Sequence, residues 1–258
     1  MRGRVLGVLA CLLPLMMAPA RADDLVHLTA RPRVTPVAVE APVGPVRLGD
    51  GMVLVPRSYR PGQPLPVLVM LHGASQRGAD MIARLAPVAE ARGILIAAPD
   101  SGDYTWDMLA ARKREADERW GPRYGTDPAR IDAFLALVFA RYAVDPARVA
   151  LAGFSDGATY ALSLGPENRD LFSTLIAFSP GHIAPLHTQG AVPGGGQIRV
   201  FISHGRADRV LPLEETARAT APAFTRRGFL VELRVFDGGH AMPPEVVESA
   251  LEWWLGRG

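Results

Sequence analysis

A serine hydroxyl attacks a carbonyl only when a base takes its proton and a carboxylate holds that base in the right tautomer. The chain sets one serine in the frame this chemistry needs: Ser155, within Gly153-Phe154-Ser155-Asp156-Gly157. The motif follows an apolar stretch expected as a strand over 148–152 and precedes a helix expected over 158–164. A strand-turn-helix elbow lifts such a serine out at the carboxyl edge of a sheet, and flanking glycines leave room for a strained turn. The helix N-terminus behind it favours developing negative charge. A plain turn with a capping serine is the competing reading.

In this architecture the acid and then the base follow the serine in chain order. His240, in Asp237-Gly238-Gly239-His240, comes just after the last expected strand and before the closing helix. Asp208, in Ser203-His204-Gly205-Arg206-Ala207-Asp208-Arg209-Val210-Leu211-Pro212, follows the preceding strand. Both therefore fall on the edge that carries Ser155. Asp237 sits too near His240 to orient it, and His204, at a strand end, is expected to pack or bond locally. His182 and His187 lie in a Pro/Gly-rich loop, where either could touch a substrate. A further strand-end loop, Leu71-His72-Gly73-Ala74-Ser75-Gln76, is expected to supply a backbone N–H to an oxyanion. Ala74 and Asp156 are the expected donors, with Ser75 the alternative to Ala74. His72 is expected to fix the loop.

Such distant residues meet only if ordered elements bring them together. Continuous apolar runs at 66–71 and 94–98 read as strands buried on both faces, and further strands are expected over 148–152, 173–178, 198–203 and 230–236. Amphipathic helices are expected over 79–91, 131–142, 158–164, 213–227 and 244–255, and shorter strands over 34–40 and 52–56. Repeated β-then-α units imply an α/β fold: one domain with a mostly parallel central sheet and helices on both faces. Residues 100–127 interrupt the rhythm. Lys113/Asp117, Arg114/Glu118 and Glu115/Arg119 are i,i+4 pairs suited to an exposed helix, flanked by Tyr104, Trp106, Trp120 and Tyr124. That insertion reads as a solvated connection or as a flap over a pocket.

Together, LHGAS, GFSDG, SHGRADRVLP and GGH resemble the α/β-hydrolase superfamily. The likeness is to carboxylesterases, dienelactone-hydrolase-like and polyhydroxybutyrate-depolymerase-like serine esterases, over about Val53 to Leu255. The resemblance implies Ser155 as nucleophile, His240 as base, Asp208 as acid, Ala74 and Asp156 as oxyanion donors, and Trp106 as a pocket residue. Ser155 departs from the cysteine nucleophile of dienelactone hydrolases, and Asp156 from the glutamine that often follows the nucleophile in carboxylesterases.

Arg2 and Arg4, an apolar run from Val5 to Met17 and small residues at Ala20 and Ala22 read as a signal peptide cut before Asp23. The run is too short for a membrane span, so no stable membrane insertion is expected after cleavage; an uncleaved anchor is the alternative. The expected product, residues 23–258, is a periplasmic or secreted catalytic domain. It carries 25 basic and 26 acidic residues, which recommends no nucleic-acid partner. Cys11 is the sole cysteine and leaves with the signal, excluding thiol catalysis and cysteine-metal sites. No His-Glu-x-x-His and no phosphate-loop spacing occurs, so no cofactor or metal is expected. The expected activity is hydrolysis of small or polymeric carboxylic esters through an acyl-enzyme. The alternatives are a prolyl-oligopeptidase-like peptidase and a non-catalytic binding protein on the same scaffold.

Overall fold

The side chains of residues 65–71 divide by parity: Val67, Val69 and Leu71 join one apolar cluster, Leu68 and Met70 another. A strand can do this only if both faces are covered. The computed structural model describes residues 26–35, 42–112, 124–181 and 198–256, and its chain alternates accordingly. In order come β1 (Gly44–Arg47), β2 (Gly51–Val55), β3 (Leu65–Leu71), α1 (Gly78–Arg92), β4 (Leu95–Pro99), α2 (Asp107–Arg112) and α3 (Asp127–Arg141). They are followed by β5 (Val144–Phe154), α4 (Asp156–Leu164), β6 (Thr174–Phe178), β7 (Arg199–Gly205), α5 (Ala217–Arg226), β8 (Leu230–Phe236) and α6 (Pro244–Leu255).

The eight strands form one sheet in the order β1-β2-β4-β3-β5-β6-β7-β8. β1 and β2 are antiparallel to their neighbours, and the others run parallel. Helices α1 and α6 cover one face through Met81, Ile82, Leu85, Val247, Leu251 and Trp254. On the other face, α3, α4 and α5 contribute Phe134, Val138, Tyr160, Leu162 and Phe224. This is the expected α/β fold.

Several boundaries differ from expectation for local reasons. Of the strand expected over 34–40, Val34 and Thr35 form a bend and residues 36–40 lie outside the described residues; the strand just ahead of the Gly49-Asp50-Gly51 turn is β1, paired from Gly44↔Val55 to Arg47↔Met52. β5 starts at Val144 because that residue pairs with Leu65 beyond a register shift. Residues 213–216 are turns, so α5 starts at Ala217. The signal sequence read in 1–22, the ion-paired helix of the insertion, Trp120, His182 and His187 lie outside the described residues.

Candidate active site

The elbow is built by close backbone contact. A Cβ on Gly153 would lie 2.2 Å from the Gly157 carbonyl carbon, and one on Gly157 would lie 2.3 Å from the Leu71 carbonyl oxygen. Only glycine fits either position. Ser155 between them has φ 54°, a left-handed backbone that non-glycine residues hold only under constraint. The constraint includes its amide, which donates to the Phe178 carbonyl on β6 at 2.9 Å. Ser155 so precedes the first residue of α4.

Three side chains then fall in line. His240 Nε2 lies 2.9 Å from Ser155 Oγ, and His240 Nδ1 lies 2.8 Å from Asp208 Oδ2. The loops carrying Asp208 and His240 are bound back to back. Arg206 N donates to the Phe236 carbonyl and Ala207 N to the Gly238 carbonyl, both at 2.9 Å. A Cβ on Gly205 would lie 2.2 Å from the Gly239 carbonyl oxygen. Ser179, the residue after β6, donates from its hydroxyl to the Ala241 carbonyl at 3.1 Å and so secures the far side of the His240 loop. The Phe154 ring packs on the imidazole at 5.1 Å between centroids.

Asp208 is deeply held. Its Oδ1 accepts from the amides of Val210 and Leu211, both at 2.9 Å. Burial alone would raise this carboxyl; the Leu211 amide, the His240 ring and the Val210 amide outweigh it and hold the group below the usual carboxylate value. Asp237, by contrast, is exposed and pairs with Arg206 at 3.1 Å. His204 does bond locally, with Nε2 2.7 Å from the Leu211 carbonyl, but the same nitrogen is 3.2 Å from Asp208 Oδ2. Its contact with the acid was not foreseen. The only signal was the i,i+4 spacing, which says nothing about ring direction in a turn.

The loop after β3 lies against the serine. A Cβ on Gly73 would come within 3.4 Å of Ser155 Cβ. Ser75 N is already spent on the Tyr104 carbonyl at 2.9 Å. Among the described residues, the amides of Ala74 and Asp156 donate to no protein acceptor. His72 fixes the loop as expected: Nε2 accepts from Ser101 N at 3.0 Å, so Nδ1 carries the proton it gives the Gly73 carbonyl at 2.8 Å. Burial lowers the basicity of this ring.

Trp106 does not line a pocket. It is fully buried, its indole N–H donates to the His72 carbonyl at 2.8 Å, and its ring packs between His72 and Tyr160 at 4.9 and 5.1 Å. The aromatic expected at the substrate thus supports the loop from beneath. Thr105 Oγ1 donates to Asp156 Oδ2 at 2.6 Å, tying the elbow to the root of the insertion. That root is clamped by two aspartates: Asp107 accepts from Gly125 N and Asp127 N, and Asp127 accepts from Gly102 N and Asp107 N.

The arrangement has recognisable relatives. Residues 50–244 match the Esterase family, described as "Putative esterase". A protein of Nocardia uniformis subsp. tsuyamanensis named "Putative esterase NocK" is 29% identical over 229 residues, which is 82% of this chain. This chain spans 62% of that relative's length. Among solved structures, esterase PE8 superposes with a TM-score of 0.62 at 25% identity, covering 82% of this chain and 98% of its own. The Bacillus cereus carboxylesterase gives 0.54 at 20% identity, covering 74% of this chain and 87% of its own, a likeness of fold.

Proposed function

The chain belongs to the Esterase family, and from that premise we propose that it hydrolyses carboxylic esters with Ser155 as nucleophile, His240 as general base and Asp208 as the carboxylate that orients it. The observation that carries this reading is the continuous line from Ser155 Oγ through His240 to Asp208, at 2.9 and 2.8 Å. With Asp208 accepting at Nδ1, the proton of neutral His240 sits on that nitrogen and Nε2 is left to take the serine proton. Ser155 Oγ attacks the ester carbonyl as His240 takes its proton. The amides of Ala74 and Asp156 face the developing oxyanion, aided by the N-terminus of α4. His240 then protonates the departing alkoxide, leaving an acyl-serine. Water, deprotonated by the same imidazole, attacks that ester and returns the carboxylic acid and free Ser155.

The test is fluorophosphonate labelling of wild type and Ser155→Ala beside a panel of aryl esters graded by acyl length. Labelling and ester turnover should both vanish in the variant. Labelling that persists would remove Ser155 as nucleophile, and labelled protein with no ester turnover would move the reading to a peptidase.

The proposal extends to export. Residues 1–22 carry the charge, apolar run and small residues of a cleaved signal, so the working enzyme would be residues 23–258 in the periplasm or outside the cell. Terminal sequencing of protein from the periplasmic and culture fractions should begin at Asp23; full-length cytoplasmic protein would refute it.

A further inference from the structure

β8 is the last strand of the sheet, and among the described residues no strand pairs with its outer side. Its inner side is bonded to β7: Leu230 N donates to the Ile198 carbonyl at 3.1 Å and Arg206 N to the Phe236 carbonyl at 2.9 Å. In a ladder, alternate residues address the same neighbour. Leu230, Glu232, Arg234 and Phe236 therefore spend their backbone groups on β7, and Val231, Leu233 and Val235 aim theirs outward.

We propose that this edge pairs with the same edge of a second copy of the chain, antiparallel about a two-fold axis at Leu233. The sequence of β8, LVELRVF, has the same chemical class read from either end, with the sign of charge reversed about its central leucine. In that register Leu233 faces its own counterpart and Val231 faces Val235 of the partner subunit. Every residue with outward backbone groups thus sits in a hydrogen-bonded pair. The intervening positions set Leu230 against the partner's Phe236 and Glu232 against the partner's Arg234. Opposite charges directly across an antiparallel pair are favourable and like charges are not. Within one chain Glu232 and Arg234 already lie 3.3 Å apart, both substantially exposed. Two copies would therefore close a ring of alternating charge.

Neighbouring registers fail. An axis at Val231 sets Glu232 against Leu230, and an axis at Val235 sets Arg234 against Phe236; each leaves outward amides unpaired. The face that carries Val231 and Leu233 also borders a groove of about 680 Å³ against α5, lined by Glu214, Arg218, Ala221 and Pro222. The partner's Leu233 would meet its mouth. Edge strands that must stay single commonly carry lysine, proline or like charges that repel a second copy. β8 instead carries one acid and one base at symmetric positions.

Sedimentation velocity on the purified chain from about 1 to about 100 µM should show a concentration-dependent dimer. E232R sets like charges opposite each other twice over by symmetry, and should weaken dimerisation about tenfold or more. R234E should do the same from the other side. The double exchange, E232R/R234E, restores every opposite pairing and should restore the dimer. Circular dichroism and ester turnover report that each variant is folded, and either folded single variant suffices. A wild type that stays monomeric, a dimer indifferent to E232R or R234E, or a double exchange that fails to recover would each overturn the proposal.

Discussion

Four polar groups converge on Asp208: two amides at one oxygen, and the rings of His240 and His204 at the other. An amide side chain in place of the carboxylate can turn its NH₂ toward His240 and hold the wrong tautomer. Asp208→Asn should therefore lower kcat by about 10³–10⁴ while the fold survives; stopped-flow turnover with a thermal melt checks both halves. His204 acts one step further back. His204→Leu removes a donor from Asp208 and takes the ring nitrogen away from the half-buried Leu211 carbonyl. We expect kcat to fall about ten- to a hundredfold with KM little changed, and His204→Gln, which keeps a donor, to recover part of the loss. A KM rise with unchanged kcat would mean that His204 shapes the pocket instead. At this scale the sequence singled out Ser155, Asp208 and His240 by type, and the fold brings them into line at 2.9 and 2.8 Å. The sequence did not disclose Ser179, Thr105 or the reach of His204, because a hydroxyl or ring is assigned its partner only by the fold.

Among elements, the loop after β3 bears most on rate in the proposed mechanism, since it carries Ala74, one of the two proposed oxyanion donors. Trp106 supports it with one hydrogen bond and one ring contact, both to His72, and rests in turn on Tyr160 of α4. Trp106→Phe keeps an aromatic ring there but removes the donor and part of the ring's volume, leaving the His72 carbonyl without its partner at a buried position. That should cost about 1–3 kcal/mol of stability and lower kcat more than it changes KM. Denaturant titration and initial rates decide it, and a variant with wild-type values on both would show the support to be unnecessary. The elements themselves were legible wherever a strand is buried on both faces, because an apolar run at 66–71 or 94–98 admits little else. Legibility ended at the margins. β1, at 44–47, is the strand the sequence does not announce: exposed and half-buried positions alternate there and no long apolar run marks it. The clamp of Asp107 and Asp127 was equally hidden, since two acids separated by an insertion show no sign of capping each other's helix.

Across the whole molecule, β3, β5, β7 and β8 all end at one rim, and burial at that rim has a consequence in acid. His72 and His204 are both fully buried, and burial lowers the basicity of each. Neither ring is placed to accept a proton freely: His72 Nε2 accepts from Ser101 N, and His204 lies among Leu211, Asp208 and β7. In the unfolded chain both charge below about pH 6.5. The unfolded state then binds more protons than the folded one, so stability must fall as pH drops below that value, and it levels off only once the lowered folded values are passed. Each histidine can contribute at most about 1.4 kcal/mol per pH unit. Asp208 acts later with the same sign. Its folded value is depressed, so its contribution is full above about pH 3.9 and disappears as pH falls through that lower value. Urea unfolding from pH 7.5 to 5 should therefore lose stability through these histidines, with Asp127, whose carboxyl burial raises, working in the opposite sense, and His204→Gln should flatten the slope. The slope, rather than the level, is the readout, because the substitution also changes packing. A flat profile from pH 7.5 to 5 in the wild type would mean that the buried rings take up protons without opposition, and that the rim is wetter than its hydrogen bonds imply.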